Sequence, residues 1–205
     1  MKKIKKTILN RSLELFNRLG VSEVSIRQIA SEMGISHSNL IYHYKTKQDI
    51  IEALHEQLLQ RAIDLNTPTR SEEVDFIKSL FESSKNGFEI LYDYRFLMID
   101  LVYILRENER LKQTFLMVEG TRAEMYRGAI EKAVQQGYMR KERYIDEYGD
   151  FIEQIKIFSD FWISSSEIYD TGDKQEILKK YSNLFVKLFF PYLTEKGRKE
   201  FDRIR

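Results

Sequence analysis

Residues 25–47 read SIRQIASEMGISHSNLIYHYKTK, and this stretch decides how the amino-terminal part of the chain folds. Ser25 and Ser36 each precede apolar residues at helical spacing, and serine is a favoured residue for capping the start of a helix. Gly34 lies between the two segments, and glycine readily adopts the left-handed backbone at which a helix ends. The stretch therefore predicts a helix-turn-helix over residues 25–44.

The second of these predicted helices carries a distinctive outer face. Leu40 and Tyr44 lie one turn apart and point inward. The outward side chains can form hydrogen bonds or stack, whereas an idle solvated face typically mixes Glu and Lys. Side chains of these types can contact base edges in the major groove of DNA. The outward-facing residues are His37, Ser38, Asn39, Tyr42 and His43.

The net charge of +1 hides an uneven distribution along the chain. Residues 1–48 carry nine Lys and Arg against three Glu, a net charge of +6. The rest of the chain carries 24 basic and 29 acidic residues, a net charge of −5. An excess of positive charge on a small unit favours binding to a phosphate backbone. A lysine-rich terminus that only aids solubility is the alternative, and the adjacent helix-turn-helix makes it the lesser one.

The motif resembles the DNA-binding domain of TetR-family transcriptional regulators. In that family a small hydroxyl residue opens the second helix, an Ile-Ala pair and a Gly-Val-Ser or Gly-Ile-Ser turn follow, and the pattern L-Y-x-H-F-x-x-K closes the motif. The chain departs from this pattern in having Ile41 directly after the Leu, with Tyr42 next. The matching residues are Ser25, Ile29, Ala30, Gly34, Ile35, Ser36, Leu40, His43, Tyr44 in place of Phe, and Lys47.

The resemblance covers about the first quarter of the chain, and the remainder is similar to the family only in length and helical pattern. It implies a DNA-binding domain over residues 1–48 and an effector-binding and dimerisation domain over residues 49–205. It further implies a homodimer that binds a palindromic operator in double-stranded DNA. Such a regulator would repress transcription until a small apolar or amphipathic molecule releases it.

The residue types predict separate roles on DNA. Ser25 is expected to hold a phosphate at the amino end of its helix. Residues 37–39 are the candidates for base edges, and Asn39 has the donor and acceptor that adenine requires. Residues 42–43 and Lys47 are expected to contact the backbone or a thymine methyl group. The predicted DNA-contacting residues are Ser25, Arg27, Ser36, His37, Ser38, Asn39, Tyr42, His43 and Lys47.

The composition and apolar spacing of the whole chain predict an all-α fold of about nine helices. Two prolines and nine glycines in 205 residues favour long helices over a fold with many turns. Thr46 and Asp49 form a capping-box signal for a fourth helix, and Pro68 in the loop of residues 66–71 ends it. Asp173 opens the last long helix.

The two long helices predicted over residues 145–169 and 173–191 carry more apolar residues than one buried stripe needs. They form either the centre of the core or a contact with a second subunit. We favour the second alternative because a helix-turn-helix that binds a palindrome needs a two-fold partner. The predicted dimerisation residues are Phe151, Ile155, Tyr181, Leu184, Phe185 and Leu188.

Aromatic and thioether side chains in the middle of the chain suit an apolar ligand cavity, although ordinary core packing explains each one separately. Asp100 is an acid within an apolar run. It is expected to pair with Arg95, Arg106 or Arg122, to face solvent, or to bind a cationic ligand. The candidate ligand-binding residues are Phe88, Tyr92, Met98, Asp100, Tyr103, Phe115, Met125, Phe158 and Trp162.

The sequence offers little support for an enzyme. It has no cysteine and only three histidines, at positions 37, 43 and 55, and His55 is expected at the surface or at a domain interface. No glycine-rich phosphate loop or serine nucleophile elbow occurs. The acids Asp146, Asp150, Glu153 and Asp160 fit a solvated helix face better than a metal site. We therefore expect no catalytic residue, no metal and no cofactor.

The chain is expected to be cytoplasmic and to have no membrane partner. Its amino terminus lacks the apolar run of a signal peptide, and its longest apolar run, residues 96–105, is too short to span a membrane. Two alternatives to a ligand-responsive regulator stay open. One is a DNA-binding protein whose large domain only dimerises, and the other is a small-molecule-binding protein whose helix-turn-helix is only structural.

Overall fold

A computed structural model describes residues 2–66 and 76–204 of the chain. Within these ranges the protein forms eleven α-helices and one 3-10 helix (Phe190–Tyr192), and the predicted all-α fold is confirmed. The predicted Pro68 loop lies outside the described residues. The α-helices are α1 (Lys2–Leu19), α2 (Ile26–Glu32), α3 (His37–His43), α4 (Lys47–Asn66), α5 (Phe76–Asp93), α6 (Arg95–Ile99), α7 (Leu101–Glu107), α8 (Glu109–Gln135), α9 (Glu147–Tyr169), α10 (Lys174–Leu188) and α11 (Glu195–Ile204).

Side-chain caps define where two of the long helices begin. The Thr46 amide donates to Asp49 Oδ2 at 2.9 Å, and the Asp49 amide donates to Thr46 Oγ1 at 3.1 Å, so the predicted capping box of α4 is confirmed. Asp173 Oδ1 accepts the amides of Gln175 and Glu176, which caps α10 as predicted. These bonds satisfy amides that have no partner within the helix.

Two compact units divide the chain. The head unit comprises Met1–Leu65 and Ile90–Lys112, and the second unit comprises Asn66–Glu89 and Gln113–Arg205. The domain boundary that the sequence places after residue 48 stays a prediction.

The head unit packs α1, α2, α3, α4 and the α6–α7 segment around one apolar core. Phe16 and Phe96, whose ring centroids lie 5.1 Å apart, are both buried. Leu40 from α3 and Leu54 from α4 are fully buried. Burying a side chain of this size stabilises the fold by about 1.5–3 kcal/mol. His55 is also buried, so its predicted surface position is wrong.

The helical segment over residues 95–107 is divided at Asp100 into α6 and α7. The backbone at Asp100 has φ −96° and ψ 16°, which is outside the α-helical range. This division is one reason why the described residues form eleven α-helices where the sequence predicts about nine.

The second unit is organised around an aromatic cluster, defined as Phe88, Phe158, Trp162, Tyr181 and Phe185. Phe88 stacks on Trp162 with ring centroids 4.7 Å apart and lies 5.4 Å from Phe185. Trp162 also lies 5.3 Å from Tyr181. Aromatic pairs at these separations add to the stability that area burial provides.

Four of the six predicted dimerisation residues belong to the core of this unit. Phe151, Ile155, Tyr181 and Phe185 are buried within their own chain. These four residues are therefore core residues of this unit, and the predicted dimer contact stays a prediction. The remaining two are more accessible, with Leu184 exposed and Leu188 half-buried.

A bidentate ion pair fixes the loop between α8 and α9. Arg140 Nη2 and Nη1 donate to Glu147 Oε1 and Oε2 at 2.6 and 2.7 Å, and the Arg143 amide donates to Glu147 Oε2 at 2.7 Å. The Arg140 amide donates to the Tyr192 carbonyl at 2.9 Å, which ties the loop to the carboxy-terminal segment. The Arg140 guanidinium and the backbone bond lower the pKa of Glu147 to about 2.

Glu147→Gln is expected to lower the melting temperature at pH 7 by roughly 5 °C, because it leaves Arg140 without its charged partner. A depressed carboxyl pKa stabilises the fold above the ordinary value of 4.5 and ceases to do so as pH falls toward about 2. The melting temperatures of the two proteins should therefore converge over this window in a calorimetric pH series. Glu195→Gln, at an exposed surface ion pair, is the control and should change little at any pH. A difference that persists unchanged at pH 2 would contradict the assignment.

None of the helices in residues 2–66 and 76–204 combines the length and apolar character that crossing a bilayer requires. The same part of the chain contains no group of three or more His, Cys, Asp or Glu side chains arranged to hold a metal ion.

Candidate nucleic-acid interface

Serine caps and a glycine turn hold α2 and α3. Ser25 Oγ accepts the Gln28 amide and Ser36 Oγ accepts the Asn39 amide, each at 3.2 Å, so both predicted caps are confirmed. Gly34 has φ +64° between the two helices, as the predicted turn requires. Each capping hydroxyl keeps its own O–H, which can donate to a phosphate.

The outer face of α3 is exposed at its amino end. His37, Ser38 and Asn39 are exposed, and Tyr42 exposes 74% of its surface. Leu40 is fully buried behind them, which fixes the side of α3 that faces outward. The face predicted for base contacts therefore presents hydrogen-bonding groups to the surroundings.

His43 differs from the other residues predicted on this face. It is half-buried, and its ring meets the Tyr42 ring edge-on with centroids 5.1 Å apart. Its Nδ1 is buried without a hydrogen-bond partner among the described residues. His43 is thus less exposed than the outward position predicted for it, and its predicted contact with DNA stays a prediction.

Basic side chains surround the two short helices. Arg27 on α2 and Lys45 after α3 are exposed, as are Lys3 and Lys6 on α1. Arg11 is engaged within the protein, since its guanidinium donates to Glu14 at 2.6 Å and to Glu32 at 2.7 Å. The exposed cations can attract a phosphate backbone without reading its sequence.

Lys47 is half-buried and bonded within the head unit. Its Nζ donates to the Val21 carbonyl oxygen at 2.6 Å. Burial lowers the pKa of Lys47, while the negative charges of Asp100 and Glu23 act in the opposite direction. The predicted contact between Lys47 and DNA stays a prediction, and the observed partner is a backbone carbonyl.

Asp100 has a backbone partner that the sequence did not indicate. Its Oδ2 accepts the Val21 amide at 2.8 Å. Asp100 is half-buried, so it does not simply face solvent, and its predicted role toward a cationic ligand stays a prediction.

The candidate ligand-binding residues are divided between the two units. Of the second-unit residues, Phe88, Phe158 and Trp162 lie together in the aromatic cluster, whereas Phe115 is half-buried and Met125 is exposed. The candidates in the head unit are Tyr92, Met98, Asp100 and Tyr103. Tyr181 and Phe185, which the sequence analysis assigns to dimerisation, complete the cluster.

A group of charged side chains between α8 and α9 was also missed. Glu119 Oε1 accepts from Arg122 Nη1 at 2.5 Å, and both line a cavity of about 20 Å³. Half-buried Asp160 lies near them, and its burial, together with the charge of Glu119, raises its pKa to about 6. The predicted solvated face is therefore wrong for Asp160, although Asp146, Asp150 and Glu153 are exposed as predicted.

The capped helix pair, its buried inner face and its exposed polar outer face define a helix-turn-helix protein. The family model described as bacterial regulatory proteins, tetR family, matches residues 8–54. A second model, TetR, described as bacterial transcriptional repressor, matches residues 55–201. The chain belongs to the TetR family.

Individual relatives agree with this assignment. The chain is 28% identical over 151 residues to the HTH-type transcriptional regulator YerO of Bacillus subtilis (strain 168), covering 71% of this chain and 50% of that protein. It is 29% identical over 68 residues to the class D tetracycline repressor protein of Escherichia coli, which covers 33% of this chain and 31% of the repressor. The matches thus span half or less of these relatives.

A solved structure shares the fold over nearly the whole chain. A TetR-family transcriptional regulator from Marinobacter aquaeolei VT8 superposes with a TM-score of 0.85 at 23% identity, covering 98% of this chain and 96% of that one.

Proposed function

We propose that the protein is a transcriptional regulator that binds a palindromic operator in double-stranded DNA as a homodimer and is released by a small molecule. The exposed, serine-capped outer face of α3 is the observation that supports this proposal most directly. The net charge of +6 on residues 1–48 adds a sequence-independent attraction to DNA. The function is regulatory and not catalytic.

The residues of the outer face divide by their chemistry. Asn39 can donate to and accept from one adenine, with His37 and Ser38 beside it at the entry of α3 into the groove. Arg27 and the hydroxyls of Ser25 and Ser36 bind phosphates, which sets the register of the helix on the duplex. Tyr42 contacts the backbone or a thymine methyl group.

An exposed apolar stripe on α9 supports the homodimer. Ile157, Phe161 and Ile168 expose 58%, 45% and 71% of their surfaces at positions that share one side of the helix. Leu184 on α10 is exposed as well. Because monomers rarely leave such apolar surface open to water, we assign the stripe to contact with a second copy.

The second unit is the proposed effector site. A small apolar or amphipathic molecule would bind near the aromatic cluster, where Phe88 and Trp162 offer flat apolar surfaces. The cavity between α8 and α9 holds about one water molecule, so a larger effector must bind a rearranged state of this unit. Release from DNA then requires that the effector binds the non-DNA-binding state more tightly than the DNA-binding state.

Selection of preferred duplexes from a random pool tests the proposed function. The recovered sequences should contain two inverted half-sites, because a dimer places its two recognition helices about 34–36 Å apart in successive major grooves. Affinity should fall steeply with salt. Recovery of no preferred duplex, with no salt-dependent binding even in dilute buffer, would favour a small-molecule-binding protein with a purely structural helix pair.

A further inference from the structure

Both polar backbone atoms of Val21 are held by charged side chains from distant parts of the chain. The Val21 amide donates to Asp100 Oδ2 at 2.8 Å, and the Val21 carbonyl accepts from Lys47 Nζ at 2.6 Å. We call Val21, Lys47 and Asp100 the Val21 latch. Val21 is buried and directly follows Gly20, whose φ of +84° ends α1.

The chemistry of the latch makes both bonds strong. Buried backbone groups require hydrogen-bond partners, and the turn between α1 and α2 has no helix to supply them for Val21. Each partner here is an ionised side chain, and hydrogen bonds to ionised groups are about twice as strong as neutral ones. Asp100 also offsets part of the cost of burying the Lys47 ammonium. The three residues therefore form one interdependent group.

The latch lies at the two ends of the helix-turn-helix. Val21 is at the turn that leads from α1 into α2, and Lys47 is the first residue of α4, directly after the recognition helix and its following turn. Lys47 therefore ties the end of the helix-turn-helix back to its beginning. Asp100 holds the same turn from the joint between α6 and α7.

Further bonds attach the segment carrying Asp100 to α1 and α4 within the head unit. Asn17 on α1 donates to the Asp93 carbonyl at 2.8 Å and accepts the Phe96 amide at 3.1 Å. Asn108 donates to Glu52 on α4 at 2.9 Å. Asp100 thus lies midway along a segment fastened at both ends to the helices that flank the helix-turn-helix.

We propose that Asp100 is a positioning residue for DNA binding, which with Lys47 fixes the turn ahead of α2 and thereby the placement of the recognition helix. The inference rests on the proposed function, because it assigns Asp100 a part in the binding of DNA by α3. It also gives Lys47 a role different from the predicted one, since Lys47 acts on DNA through the turn and not through a phosphate.

Simple electrostatics predicts the opposite effect of removing Asp100. Deleting an acid from a DNA-binding unit raises its positive charge and should tighten binding to a polyanion. The latch predicts weaker binding, because the turn loses its amide partner and Lys47 loses its counter-charge. The sign of the change therefore separates the two accounts.

The experiment measures the affinity of the full chain for its selected duplex across a salt series, at a temperature where every variant is folded by circular dichroism. Asp100→Ala should weaken binding about tenfold, and Asp100→Asn, which keeps an acceptor oxygen, should recover most of that loss. Glu107→Ala removes an exposed acid of the same segment and should bind like the parent or slightly more tightly. Asp100→Ala binding at least as tightly as the parent would overturn the proposal.

Lys47→Met provides an independent test that does not rely on Asp100. If Lys47 acts only through the latch, the Lys47→Met variant should bind the duplex more weakly, and its slope of log affinity against log salt concentration should be unchanged. Loss of one phosphate contact per subunit would instead reduce that slope by about 1.8 in a dimer, and this result would overturn the role given to Lys47. Combined with Asp100→Ala, the Lys47→Met change should weaken binding by less than the product of the two single effects. If the parent chain binds no duplex, the proposed function itself fails, whereas a binding parent with an unaffected Asp100→Ala variant rejects the latch alone.

Discussion

Phe161→Glu is expected to yield a monomer that binds the operator at least 100-fold more weakly than the parent chain. Phe161 lies at the centre of the exposed apolar stripe of α9, between Ile157 and Ile168. A two-fold interface contains the same residue from each subunit, so the substitution places two carboxylates in the apolar interface. Burying a carboxylate in an apolar contact is costly.

DNA affinity should fall because the two DNA-binding subunits are no longer joined to each other. A dimer that has bound one half-site meets the second at a high effective concentration, which raises the overall affinity by about 10²–10⁴. A monomer has no such gain. Sedimentation velocity at micromolar concentration measures the oligomeric state, and fluorescence anisotropy with the selected duplex measures the affinity.

Lys132→Glu is the matched control, because it places the same carboxylate on an exposed position of α8. It should stay dimeric and bind DNA nearly as the parent does. A Phe161→Glu variant that remains a dimer at micromolar concentration would show that the subunits meet through a different surface.

The dimerisation residues illustrate what sequence periodicity can and cannot determine. Apolar residues on two sides of a helix predict that both sides are packed against other helices, and α9 has apolar residues on two sides. Periodicity does not tell which side faces the core of the same chain, because both sides have the same composition. Phe151 and Ile155 lie on the inner side, and Ile157 and Phe161 lie on the outer side.

The helix-turn-helix was predictable because its determinants are local. Ser25, Gly34 and Ser36 act within four residues of their own positions, through caps and a left-handed turn. The outward face of α3 then follows from the burial of Leu40. No feature of the fold beyond the motif was needed for this part of the site.

The Val21 latch was not predictable because it joins residues that are far apart in sequence. Val21 and Asp100 are 79 positions apart in the sequence. Every residue except proline has a backbone amide, so the residue type at position 21 does not indicate that its amide binds a side chain. Asp100 was recognisable only as an acid in an apolar run. Lys47 matched a family motif, but a motif does not state whether its cation faces DNA or the protein.

Asn39→Ala is expected to remove most of the sequence preference of the dimer while leaving its non-specific binding in place. Asn39 is exposed at the third position of α3, where its amide can donate to and accept from one adenine. A good pair of this kind contributes about 1–3 kcal/mol of discrimination, and a dimer loses two of them. Affinity for the selected duplex should therefore fall by roughly 30-fold or more.

Arg27→Ala is the comparison variant, because it removes a predicted phosphate contact and leaves the predicted base contact in place. Arg27 is an exposed cation on α2, so its loss should weaken selected and scrambled duplexes by the same factor and reduce the salt slope by about 1.8 per dimer. Asn39→Ala should leave that slope unchanged, because an uncharged side chain displaces no counterions. Competition titrations of both variants against selected and scrambled duplexes measure the two quantities together. An Asn39→Ala protein that keeps the full ratio of affinities for selected and scrambled duplexes would contradict the role of Asn39. Other side chains of α3 would then recognise the bases, and His37 and Ser38 would be replaced next.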